Sequence, residues 1–237
     1  MNILDFSLIT AIKLADVVIT EIIDPAFEDP TKLKHARTRL PIALRFIDIE
    51  RFKKLKTINE RKYDIGFIGR LEPEKGLHEF IRAIRILNAK GYNPHVLIAG
   101  GGSLINIAEN FLNKINATVL SYIPHNQMPD LYNEVKILVL PSKKEGVPTV
   151  LVEALACGVI PVVSKVGGMP WLIQKANAGI MLDELYYKSI YNALEYLLNL
   201  KPEELEDISQ KSRKFIEDYF AINKAIRRYS VLRKILI

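Results

Sequence analysis

Two glutamates, Glu145 and Glu153, stand with seven residues between them in PSKKEGVPTVLVEALACGVIPVVS, residues 141–164. One precedes an apolar run and the other lies inside it. A carboxylate accepts two hydroxyl hydrogen bonds side by side, which suits the vicinal diol of a ribose or a hexose. Between the glutamates, Pro148 fits the first turn of a helix and Thr149 can serve as its cap. The amides of Thr149, Val150 and Leu151 then form an anion site at the positive end of the helix. Glu145 lies on the loop before them. Glu153 lies about one turn in, on the exposed end if the Val-Leu-Val-Ala-Leu face is buried. A capping or surface acid is the plainer alternative for each glutamate alone, and the Gly-Val-Pro-Thr turn between them counts against it.

A second candidate is GRLEPEKG, residues 69–76. Gly69 lets the backbone turn sharply after an apolar run. Arg70 and Lys75 follow on a loop just before a helix, where two cations oppose the helix dipole unless an anion joins them. A diphosphate suits both, the guanidinium as a fork and the ammonium as a point charge. A charged loop neutralised by Glu72 and Glu74 remains the alternative. AGGGS, residues 99–103, puts Gly100 where the backbone can approach a ligand closely, although a tight turn explains it equally. No Gly-Lys-Ser/Thr follows, so it is not a Walker loop.

The elements that must position these residues are legible from Tyr63 onward. Strand candidates are residues 63–69, 95–100, 117–123, 136–141, 159–164 and 179–183. Helical periods fill 76–90, 103–115, 127–134, 149–156 and 168–175, and three further helices are expected at 186–199, 203–218 and 222–236. Short apolar strands alternating with amphipathic helices predict βαβ units and a parallel sheet covered on both faces. The expected fold class is α/β, a Rossmann-like parallel sheet of about six strands flanked by helices. An open parallel sheet binds its ligand beyond the carboxyl ends of its strands, and every candidate above sits there. Residues 3–20 read as a helix and a short strand, DVVIT. Residues 21–62 read as irregular, with Pro25, Pro30 and Pro41 as breakers.

The chain of 237 residues carries a net charge of +6. Residues 31–62 hold eleven Lys or Arg against three acids, so the remainder is close to neutral. That segment reads as a linker or interdomain face, or alternatively as a site for an anionic partner such as a membrane surface. No aromatic interleaving or nucleic-acid motif accompanies the charge, so nucleic acid is not an expected partner. No apolar run is long enough for a membrane span, and the start does not read as a signal peptide. The single cysteine, Cys157, fits a reducing compartment and reads as a buried small hydrophobe. His78 and His95 read as structural or exposed, and His125 is a candidate ligand contact. No His/Cys cluster has metal spacing.

Together, GFIGRLEPEKGLHEFIRAIRIL, VLIAGGGS, PSKKEGVPTVLVEALACGVIPVVSKVGG and YFAINKAIRRYSVLRKIL resemble the C-terminal half of retaining glycosyltransferases of family four, which have the GT-B architecture of two Rossmann-like domains facing across a cleft. The resemblance covers roughly residues 60–237, and Glu145/Glu153 matches the family's Glu-x7-Glu motif. It implies transfer of a hexosyl group from a nucleotide-diphosphate sugar, with retention and with no cofactor; no Asp-x-Asp appears, the nearest being Asp48-Ile-Glu50, so no essential metal is expected. By the same resemblance, Arg70 and Lys75 match the pair on the donor diphosphate and Glu145 the acid on the donor sugar. Gly146, Val147 and Pro148 match the turn lining the sugar, Thr149 and Val150 the helix-start amides, and Glu153 the acid on the ribose. Ser121, Tyr122 and Ile123 belong to the matched loop whose backbone meets the base.

The chain also departs from the family. LRFID, residues 44–48, loses a glycine to Phe46; Ser121 lacks a neighbouring glycine; Val135-Lys136 replaces Ala-Asp; Trp171 replaces a glutamate and reads as a packed aromatic. The expected division is a remnant of an acceptor domain with a basic linker (1–62), a nucleotide-sugar-binding domain (63–219) and a cross-over helix (220–237). With most of an acceptor half missing, the readings left open are a transferase and an inactive nucleotide-sugar-binding subunit, with an unrelated Rossmann-type regulator as a third. The expected partners are a nucleotide sugar, an unknown saccharide or lipid-linked acceptor, and an acceptor-domain partner chain or a second copy. The expected location is the cytoplasm, with peripheral contact at the inner membrane face left open.

Overall fold

The computed structural model describes residues 17–20, 38–41, 46–112 and 115–227. The helix expected before DVVIT, and the last helix beyond residue 227, lie outside the described residues. Six strands form one all-parallel sheet: β3 (Tyr63–Ile68), β4 (Val96–Ala99), β5 (Ala117–Leu120), β6 (Val135–Leu140), β7 (Ile160–Ser164) and β8 (Ile180–Leu182). Their order is β5-β4-β3-β6-β7-β8. The chain therefore builds outward from β3 in one direction, crosses back, and builds outward from β6 in the other. The switch point lies between β3 and β6, and a crevice at the carboxyl ends of those two strands follows.

Successive strand residues feed opposite cores, as the pleat requires. In β6, Leu138 and Leu140 join one core and Ile137 and Val139 the other, while Val135, at the strand's first position, joins the core of Leu138 and Leu140. One core is completed by α1 (Leu77–Ala89), α2 (Ile105–Leu112) and α6 (Tyr187–Leu198). The other is completed by α3 (Met128–Asn133), α4 (Thr149–Ala156), α5 (Met169–Ala176) and α7 (Pro202–Tyr219). In α1 the buried residues Leu77, Phe80, Ile81, Ile84 and Leu87 form one apolar stripe. In α4 every residue from Leu151 to Ala156 is buried, so this helix is apolar nearly all round. Trp171 packs edge-on against Phe215 and Tyr219, at centroid distances of 5.9 and 6.0 Å.

The segment read as irregular needs correction in one place. It contains β2 (Thr38–Pro41), paired in parallel with β1 (Val17–Thr20). TRLP has no apolar run to announce it, and its Pro41 is tolerated because β2 is an edge of a two-stranded sheet. Residues 46–62 are a strap bound along the sheet unit. Ile47 and Phe52 lie in the core, and Ile47 bridges Ala221. Three of its lysines are paired with acids: Lys54 with Glu206, Lys56 with Glu134, Lys53 with Glu50. Arg61 is buried, donating to the carbonyls of Val135 at 2.8 Å and Cys157 at 2.7 Å. Burial pulls this guanidinium down to about 10, so it remains charged at neutral pH. No helix among the described residues is long and apolar enough to cross a membrane.

Candidate active site

The crevice at the switch point is a cleft of about 220 Å³. Gly69, Arg70 and Lys75 line it from the loop after β3; Ser142, Glu145, Pro148, Thr149 and Val150 line it from the loop after β6 and the start of α4. One short connection joins these two loops: the Lys143 amide donates to the Glu74 carbonyl at 2.8 Å, while the Gly168 amide, from the loop after β7, donates to the Gly146 carbonyl at 2.8 Å and steadies the loop after β6. Gly76 has φ of 78°, and a Cβ there would overlap the Pro141 carbonyl oxygen, so the loop after β3 can lie against the loop after β6 only with glycine at that position.

At the centre of the cleft, Lys75 Nζ donates to Glu145 Oε1 at 2.5 Å, and Ser142 Oγ donates to the same oxygen at 2.9 Å. Ser142 is itself buried, and its carbonyl receives the Ser164 hydroxyl at 2.5 Å. Glu145 is thus held by two donors on one oxygen. Arg70 is more exposed and reaches Glu74 at 3.3 Å, the local pairing that the alternative reading of the loop foresaw. Glu72 instead ties this loop to the next one, accepting from the Ser103 hydroxyl at 2.6 Å and the Ser103 amide at 3.1 Å. Those bonds hold its carboxyl below the usual range.

The helix start differs from expectation by one position. Pro148 is the N-cap, Thr149 opens α4, and no side chain caps it. Proline's fixed φ suits either place, which is why sequence could not separate them. The Leu151 amide is not available to an anion, since it donates to the Pro148 carbonyl at 3.1 Å. The first-turn amide of Val150 has no acceptor within the helix.

Glu153 also departs from its expected setting. It is 5% exposed rather than standing at an open end. Tyr132, fully buried in α3, donates its hydroxyl to Oε2 at 2.8 Å, and His125 Nε2 lies 2.8 Å from Oε1. Burial, then the charge and hydrogen bond of Glu153, hold the Tyr132 phenol well above its ordinary value, so it stays a donor. Glu153 lines a second cavity of about 290 Å³ with Phe46, Asp48, Arg51, Phe52 and His125. Thr149 lines both cavities, so the two adjoin across the first residue of α4.

The structure therefore brings Gly69, Arg70, Lys75, Glu145, Pro148, Thr149 and Val150 to one cleft and Glu153 to the next. Gly100, Ser121, Tyr122, Ile123, Gly146 and Val147 line neither. Val147 is buried in the core, and Tyr122 is 80% exposed. Sequence reasoning passed over Ser142, Arg51 and Tyr132. Ser142 lies inside the quoted stretch, but nothing local marks Arg51 or Tyr132. Among the described residues, no group of three or more His, Cys, Asp or Glu side chains could hold a metal ion.

Residues 48–215 match the family described as "Glycosyl transferases group 1", and the chain belongs to that family. The capsular polysaccharide biosynthesis glycosyltransferase CapM of Staphylococcus aureus is 31% identical over 178 residues, covering 73% of this chain and 45% of CapM. The chain thus spans about half the length of the curated relatives it matches. A sucrose-phosphate synthase from Thermosynechococcus elongatus shares the fold with a TM-score of 0.77 at 18% identity, over 98% of this chain and 61% of that one. The C-terminal domain of a group 1 glycosyl transferase from Francisella tularensis gives 0.63 at 20% identity, over 74% of this chain and 99% of that domain.

Proposed function

We propose that the chain carries the donor side of a retaining, metal-independent glycosyltransferase that moves a hexosyl group from a nucleoside-diphosphate sugar. The observation that carries this reading is the Lys75–Glu145 pair in a cleft that adjoins the Glu153 cavity across the start of α4. The diphosphate lies at the helix start, within reach of Lys75 and Arg70. Glu145 faces the donor sugar, and Glu153 receives the ribose hydroxyls. Breaking the anomeric C–O bond leaves positive charge on the sugar and negative charge on the diphosphate. Cations held in place beforehand stabilise that separation, each by about 3 kcal/mol, or about a hundredfold in rate. The acceptor, a saccharide or a lipid-linked sugar, meets a surface outside the described residues.

The test is to present the purified chain with a panel of nucleotide sugars, following nucleoside-diphosphate release and, separately, binding by calorimetry. Release with at least one donor, slowed about a hundredfold by Lys75→Ala, is expected. Binding without turnover makes the chain a nucleotide-sugar-binding subunit, and no binding of any donor overturns the proposal.

A further inference from the structure

We propose that Arg51 and His125 are positioning residues for Glu153, the guanidinium fixing the imidazole and the imidazole fixing the carboxylate that faces the second cavity. The proposal rests on the reading that Glu153 receives a ribose diol. Arg51 Nη2 lies 3.1 Å from His125 Nδ1. A guanidinium can only donate, so Nδ1 accepts, and the ring hydrogen is on Nε2. That nitrogen then donates to Glu153 Oε1 at 2.8 Å. The same Nη2 also donates to the His125 carbonyl at 2.7 Å, clamping both the ring and its loop to the strap. Phe52 supports the arrangement from the side, with its ring centroid 5.8 Å from the imidazole and 5.3 Å from the Arg51 guanidinium carbon.

The consequence for Glu153 is geometric. Tyr132 holds Oε2 and His125 holds Oε1, so the carboxylate has a donor on each oxygen and its plane is fixed. One lone pair on each oxygen is left over, and two acceptors side by side match a vicinal diol. Without His125 the carboxylate keeps Tyr132 as an anchor on one oxygen and can swing about it. The His125 side chain is 62% exposed, so replacing it leaves the core intact. Arg51 comes from the basic strap and His125 from the loop after β5, so the strap acts on the carboxylate through His125.

The experiment is calorimetry on the full chain with UDP, GDP and ADP, each as the ribose and the 2′-deoxyribose form, and with inorganic pyrophosphate. The wild-type chain is expected to prefer the ribose form of its nucleotide by about tenfold. In His125→Ala that ratio falls toward one while pyrophosphate affinity is unchanged. In His125→Gln, whose amide can donate in place of Nε2, most of the ratio returns. Arg51→Met lowers the ratio as His125→Ala does. A His125→Ala chain that is folded and keeps or increases the wild-type ratio overturns the proposal, and an Arg51→Met chain that keeps it overturns the part played by Arg51. If Glu153→Ala abolishes a wild-type preference that His125→Ala leaves intact, this proposal alone fails. If the wild-type chain binds no nucleotide, or shows no preference, the assignment of Glu153 fails and takes this one with it.

Discussion

Lys75 and Glu145, seventy positions apart in sequence, meet at 2.5 Å where the loops after β3 and β6 converge. Each strand delivers one partner, and the two strands are neighbours only because the sheet reverses its direction of growth between them. Both side chains are largely shielded from water, which strengthens their attraction and also any contact they make with a ligand. An ammonium has three donors, so Lys75 can keep Glu145 and still reach a phosphate oxygen.

Replacing Lys75 by alanine separates two effects. The diphosphate loses a cation at the moment negative charge develops, so kcat for donor cleavage should fall by about a hundredfold. Donor affinity should change much less, because Arg70 and the helix start remain. Single-turnover kinetics beside equilibrium binding decide it. Equal losses in affinity and rate would make Lys75 a plain ground-state contact.

Gly167 tests how tightly Glu145 must be held. Its φ is 56°, and a Cβ there would overlap the carbonyl oxygens of Glu145 and Gly146. Gly167→Ala should destabilise the fold by about 1–3 kcal/mol through backbone strain. It should also depress donor cleavage further than an equally destabilising change made far from the cleft. A variant that loses stability but keeps full activity at low temperature would show that the loop carrying Glu145 tolerates displacement.

What the sequence disclosed follows from which interactions are local. The strands β3, β4, β6 and β7 are near-continuous apolar runs, broken only by Asp64 and Lys136 near the starts of β3 and β6, because both faces are covered, and that pattern survives in one dimension. β2 has no such run and was passed over. Lys75 and Glu145 were legible because loops at strand ends are where an open sheet puts its ligands. The burial of Glu153 was not legible, since its anchors come from Tyr132 and His125, on other elements 21 and 28 positions away. The charge excess of the strap was visible, but not that Lys54, Lys56 and Arg61 direct it inward.

Cys157 should resist alkylation in the native chain. It is buried, and burial pushes its thiol up to about 12, against the pull of Arg61 and Arg213. Almost no thiolate exists at neutral pH, and a reagent has no path to it. Intact mass after treatment with iodoacetamide should show no addition below the unfolding transition and one addition above it. Rapid labelling of the folded chain would place the α4 C-terminus nearer to solvent than the structure does.

Glu206 fixes the strap to α7 and gives it a pH dependence. It accepts from Lys54 Nζ and, at 2.9 Å, from the Ile58 amide. Burial raises its carboxyl, but these hydrogen bonds and the Lys54 charge outweigh burial and leave it below the ordinary 4.5. A carboxyl depressed by folding contributes stability that is fully present above its unfolded value and is lost as pH falls through the folded one. The difference in denaturation midpoint between the wild-type chain and Glu206→Gln should therefore be constant from neutral pH down to about 5, then shrink as the solution becomes more acidic. The protection factor of the Ile58 amide, referenced to the intrinsic exchange rate at each pH, should fall over the acidic part of that range, since the strap is released first where its acceptor is protonated. A midpoint difference that stays flat into strong acid would mean that the carboxylate charge does not hold the strap, and that Lys54 sits there by packing alone.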